Sequence, residues 1–199
     1  MIIRPIDTIY IGLLSLEIFI TLLIGSYAYR GYRDLRDSRL LNLHLGFTVI
    51  GGGLLVELTI FIVTHITRPF IYMLIANYVS AIAQVLGYLI IVIGYYRVPK
   101  DQMLLSTLGV STIFPLMTIY LGSSILIIFI LYRVLVNYVI SRDRMLIYSI
   151  SAFTLLSLSY ILLSIGVARP ESYLRFIGNF IRLLGFTLLT YSIYRSSRG

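Results

Sequence analysis

Apolar runs of about 20 residues follow one another along this chain, separated by short polar stretches. Each is long enough to cross a bilayer core about 30 Å thick as a helix. The pattern predicts helices over 9–29, 40–64, 71–96, 119–140, 145–167 and 173–194. A shorter apolar stretch, MLLSTLGVSTIFPLM at 103–117, sits between the third and fourth. No stretch is long or polar enough to form a separate soluble domain.

The polar punctuation repeats. TIYIG at 8–12 returns as TIYLG at 118–122, and IFI at 18–20 as IFI at 128–130, both at an offset of 110. RD at 36–37 and FT at 47–48 return at 142–143 and 153–154, at an offset of 106. RP at 68–69 returns at 169–170, and LGY at 86–88 and Arg97 return as LGF at 184–186 and Arg195. The offset only shrinks along the chain, as loop shortening between two copies would produce. The sequence therefore predicts an all-α integral membrane protein of tandem three-helix repeats. The first repeat covers 1–97, a linker 98–117, and the second repeat 118–199.

Three helices per repeat create a problem of orientation. Directly joined repeats would face opposite ways, yet YRDLRDSR and SRDR are equivalent loops with equivalent charge. Short arginine-rich loops stay cytoplasmic, so parallel repeats are expected, with the linker as a short extra membrane helix. This three–one–three arrangement of seven spans puts the N-terminus outside the cell membrane and the C-terminus in the cytoplasm. Its inner side carries ten Arg and Lys (Arg30, Arg33, Arg36, Arg39, Arg97, Lys100, Arg142, Arg144, Arg195 and Arg198). Its outer side carries four: Arg4, Arg68, Arg169 and Arg175. The alternative of six spans separates the charges less well. Pro115 and Gly109 weaken the linker as a helix, so a re-entrant or interfacial segment is the other reading of it.

Composition narrows the function classes. Only 12 % of residues are charged, against about 25 % in soluble domains. There is no cysteine, which excludes disulfides, iron–sulfur clusters and thiol chemistry. One lysine against fifteen arginines, with abundant isoleucine and tyrosine, suits an archaeon of hot environments. The net charge of +8 is no sign of nucleic acid, because the arginines gather at helix ends rather than along one face. The first apolar run continues to about Tyr29 without a clear small-residue cleavage site, so a membrane helix is expected there rather than a signal peptide.

GSYAYRGYRDLRDSRLLNLHLGF at 25–47, followed by LGYLIIVIGYYR at 86–97, resembles a three-helix membrane module common in archaea. That module occurs in small membrane proteins and as the multi-spanning input domain of some archaeal sensors. The resemblance covers both halves, the first more clearly, and implies a fold without implying an activity. A soluble output domain such as the sensors carry is not expected here. The three–one–three layout is also similar to that of the SWEET sugar transporters. Their proline–glutamine pair is missing, so that similarity is one of architecture.

Polar groups within the spans are costly and default to functional candidates. Glu17 falls near the middle of the first helix, Glu57 about one turn past the middle of the second, Gln84 mid-way along the third, and Arg182 near the middle of the last. Gln84 and Arg182 are equivalent at an offset of 98, whereas the glutamates are not duplicated. One reading is a midplane site for a proton or ligand, with Glu57 and Glu17 flanking Arg182. The other is a structural ion pair that fixes helix register. Gly51, Gly52 and Gly53 invite close helix packing or a local break of the helix. Gly87 and Gly94, with Gly178 and Gly185, form small-residue seams that let backbones approach.

His44 and His65 sit near opposite ends of one helix, about 30 Å apart, too far to share a metal or haem. No catalytic triad, phosphate loop or metal-ligand spacing occurs, and most tyrosines lie near helix ends as in an interfacial belt. Neither an enzyme nor a cofactor is expected. The expected function is a non-catalytic integral membrane subunit or input module of a larger assembly, in contact with lipid and other membrane chains. The alternative is a small parallel-repeat transporter or channel with a midplane polar site.

Overall fold

The computed structural model describes residues 5–67, 70–96, 115–168 and 173–196, and every long element among them is a helix. These are α1 (Pro5–Leu35), α2 (Ser38–Thr67), α3 (Phe70–Tyr95), α4 (Pro115–Ser141), α5 (Met145–Ala168) and α6 (Leu174–Ser196). All six are long and apolar enough to cross a membrane, and we treat the chain as an integral multi-pass membrane protein. Most of the expected linker, 98–117, lies outside the described residues. Its last three, Pro115, Leu116 and Met117, are the first turn of α4.

α2 packs between α1 and α3, and α5 between α4 and α6; α1 meets α6 and α3 meets α4. The bundle interior carries Phe47, Ile50 and Leu54 of α2, Phe153, Leu156 and Tyr160 of α5, and Tyr88 and Phe186 of α3 and α6, all fully buried. Phe47 and Phe186 meet edge to face with ring centres 6.0 Å apart. Large apolar side chains such as Leu16, Phe19, Ile128, Phe129 and Phe180 face outward instead. In water such a surface would aggregate; in a bilayer it is the solvated face.

The two arginine-bearing turns have the same construction. Arg36 ends α1 in the left-handed region, φ 56°, and Arg142 ends α4 at φ 54°. Each caps its helix, with the Arg36 amide on the Tyr32 carbonyl at 2.7 Å and the Arg142 amide on the Tyr138 carbonyl at 2.8 Å. The next residue then starts the following helix. The Asp37 carboxylate accepts the Arg39 amide at 2.9 Å and the Asp143 carboxylate the Met145 amide at 2.9 Å. A short side-chain acceptor on the first free amides is an N-cap.

Both turns lie at one end of the bundle. Tyr27, in the second half of α1, packs on Tyr194 near the end of α6. Ser192 of α6 in turn bonds Ser149 near the start of α5. The end of α3 is directed the same way, because the Tyr96 hydroxyl reaches the Phe129 carbonyl in the second half of α4. α4 begins at the opposite end, where the Met117 carbonyl faces Ser164 near the end of α5. So α3 finishes at the arginine-rich end, whereas α4 starts at the far one.

The glycines report where helices come closest. A Cβ at Gly87 would meet the Ile50 side chain and lie 2.6 Å from the Gly46 carbonyl oxygen. A Cβ at Gly185 would meet Leu156 at 2.9 Å and the Ala152 carbonyl oxygen at 3.2 Å. Gly178 approaches Leu163 and the Ser159 carbonyl, and Gly94 lies against the Asn42 side chain. The three central glycines of α2 divide their roles. Gly51 faces Thr21 of α1 and Gly53 faces Ala83 of α3, but Gly52 points into open space and packs on nothing. α2 runs through all three without a break.

Candidate midplane polar site

Helical periodicity carries one charged or amide group from each of three helices into the bundle. On α1 the inward stripe is Leu14, Glu17, Thr21, Ile24 and Ala28; on α3 it includes Ser80, Gln84, Tyr88 and Ile91. On α6 it is Asn179, Arg182, Phe186 and Leu189. Three of the four expected polar residues meet there. Arg182 Nη2 donates to Glu17 Oε2 at 2.5 Å, with side chains 3 % and 0 % exposed. Arg182 Nη1 donates to Gln84 Oε1 at 3.2 Å.

The amide extends the network. Gln84 Oε1 also accepts the Tyr160 hydroxyl at 2.7 Å, while Gln84 Nε2 donates to Ser80 Oγ at 2.8 Å. Tyr88 Oη lies 3.2 Å from Tyr160 Oη. A phenol has one proton to give, and Tyr160 gives its own to Gln84, so Tyr88 is the donor there. The path runs Tyr88, Tyr160, Gln84, Arg182, Glu17, and it crosses between the α1–α3 and α4–α6 halves at both Tyr160 and Arg182. The Arg182 guanidinium also lies 5.9 Å from the Tyr160 ring centre, within cation–π range.

Glu57 forms no hydrogen bond with Arg182, which donates to Glu17 and Gln84. Its carboxylate accepts the Tyr10 hydroxyl at 2.6 Å, and Tyr10 packs on Phe61 with ring centres 5.0 Å apart. Tyr10 precedes Glu17 by two helical turns on the same face of α1, so Glu57 lies nearer the end where α1 begins. The group that donates to it is a tyrosine, not the arginine.

Two polar atoms in the cluster have no hydrogen-bond partner among the described residues: Glu17 Oε1 and Arg182 Nε. Desolvating a carboxylate and a guanidinium costs several kcal/mol each, and their attraction offsets this only with good geometry and further hydrogen bonds. Gln84 supplies one such bond, and the two orphaned atoms leave the compensation incomplete.

Sequence reasoning passed over Tyr10, Tyr88 and Tyr160. Tyr88 and Tyr160 fall inside their apolar runs rather than at the ends where belt tyrosines belong, and that position was the available signal. Of the histidines, His44 Nδ1 lies 2.9 Å from the Gly25 carbonyl, and its ring packs beside Tyr29; the side chain of His65 is outside the described residues. No protein-family model matches this chain, and neither does any curated protein or solved structure.

Proposed function

We propose that this protein is a non-catalytic integral membrane subunit or input module of a larger assembly, built from two parallel three-helix repeats. The observation that carries the reading is that its midplane charge is engaged within the chain. Arg182 is held by Glu17 and Gln84, and Glu57 by Tyr10. What is left to recognise a partner is the outer apolar surface and the arginine-rich end. Seven crossings follow if residues 97–114 return the chain from the arginine-rich end, where α3 finishes, to the far end, where α4 begins. The arginine-rich end is then cytoplasmic, with the N-terminus outside. The matched turns at Arg36 and Arg142, and the matched approaches at Gly87 and Gly185, support duplication. Native purification followed by mass spectrometry of co-purifying chains is the test, and a stoichiometric membrane partner is the expected result.

A transporter or channel is the second reading. It is favoured by the position of the Glu17–Gln84–Arg182 cluster between the two halves, where parallel-repeat transporters place their sites, and by the orphaned Glu17 Oε1 and Arg182 Nε. Purification as a single chain, together with solute or proton flux in proteoliposomes that Glu17→Gln abolishes, would replace the first reading by this one.

A further inference from the structure

α1 and α6 part below the ion pair to leave a groove of about 260 Å³. Ile20, Leu23, Thr187 and Thr190 line its inner part, nearer Glu17 and Arg182, and Tyr27, Tyr191 and Tyr194 line the part toward the arginine-rich end. The threonine hydroxyls are bonded back to the Leu183 and Phe186 carbonyls, which leaves the inner part without a free side-chain hydrogen-bond donor. The tyrosine part is cationic. The Arg30 guanidinium lies 5.9 Å from the Tyr27 ring centre, and Arg195 Nη1 donates to the Tyr191 hydroxyl at 3.0 Å. Both arginines are exposed, and no carboxylate among the described residues pairs with either.

The geometry points to a binding site for one anionic phospholipid, its phosphate on Arg30 and Arg195, its glycerol region against the tyrosines and one chain along the groove between α1 and α6. Charge at one end and apolar surface along the rest match a molecule with that division. Guanidinium groups suit phosphate because they present paired donors in a fixed plane. The site joins the first helix to the last, one turn of α1 from Glu17, so an occupied groove holds the two halves together beside the ion pair. It stands under either reading of the function, since it needs only that the helices span a bilayer.

Native mass spectrometry of the delipidated full chain, titrated with phosphatidylglycerol or phosphatidylcholine, tests the site. One phosphatidylglycerol should be retained at collision energies that strip phosphatidylcholine. Arg30→Gln with Arg195→Gln should weaken that retention by about tenfold or more, while Arg142→Gln, a control for charge in general, should not. Thr190→Phe, which fills the groove, should lower retention of both lipids. Circular dichroism confirms that each variant is helical, and the two-arginine variant should keep its helix content. Equal retention of the two lipids by the unaltered chain overturns the proposal. So does an unchanged preference in the two-arginine variant, or displacement of the lipid by millimolar inorganic phosphate, which would leave a phosphate site without a chain. A photocrosslinker at Thr187 that captures a protein in native membranes, and no lipid, also overturns it.

Discussion

Glu17 and Arg182 are 165 residues apart in the chain and 2.5 Å apart in the bundle, and their contact ties the first helix to the last. The pair is almost wholly shielded from the surroundings. Neither charge can reach an interface by extending its side chain, so each depends on the other. Removing one partner strands a buried charge, whereas replacing both removes the desolvation cost along with the attraction.

Arg182→Leu and Glu17→Leu should therefore each lower stability by about 3–5 kcal/mol, and the double variant should recover much of that loss. Thermal unfolding in one detergent, read for all four proteins, measures the coupling. A double variant destabilised by the sum of the two single losses would mean that the groups serve separate partners.

The glycines make a sharper comparison, because a single methyl group distinguishes them. Gly87→Ala puts a Cβ 2.6 Å from the Gly46 carbonyl oxygen, an atom that moves only if the helix moves. The cost should be about 1–3 kcal/mol. Gly185→Ala should also destabilise, by less, since its closest contact is the flexible Leu156 side chain at 2.9 Å. Gly52→Ala meets nothing and should stabilise by up to about 1 kcal/mol through helix propensity. Thermal shifts that rank Gly52→Ala with Gly87→Ala would contradict this division of roles.

Six helices were legible from apolar run length alone, because a bilayer allows few other solutions for such runs. The ends were less so. α1 runs to Leu35, well past the apolar limit near residue 29, because nothing in YRGYRDL stops a helix until Arg36 turns left-handed. Arg182 could be placed in the bundle from the cost of leaving it in lipid, and Gln84 joined it through the sequence offset of 98 that pairs the two positions. The choice between Glu17 and Glu57 could not be read, since both are carboxylates near mid-span and the difference is which helix level faces α6. Gly52 belongs to the same class of failure. A run of three glycines has no side-chain pattern to say which one faces outward.

The left-handed arginines offer a local test. A residue with a Cβ at φ near 55° is strained, by about 1–3 kcal/mol in general and more for β-branched side chains. Arg142→Val should then be less stable than Arg142→Gly by about 1–2 kcal/mol, and the same order should hold at Arg36. The site is exposed, so burial does not confuse the comparison. If valine equalled glycine at both turns, the helix ends would have to differ from the left-handed caps described.

In the proposed topology, residues that share an end of the bundle share a side of the membrane. Ser38 and Ser141 flank the two arginine turns and are exposed, and the contacts of Tyr27 with Tyr194 and of Ser149 with Ser192 bring those turns to one end of the bundle. Tyr173, exposed just before α6, belongs to the other. The chain has no cysteine of its own, so single cysteines can be introduced at each place without further changes. Cysteines at positions 38 and 141 should resist a membrane-impermeant maleimide added to intact cells and react once the cells are opened. A cysteine at position 173 should react from outside. Parallel repeats require the first two to behave alike; antiparallel repeats put them on opposite sides. Labelling of position 141 but not 38 from outside would therefore exclude the proposed parallel arrangement.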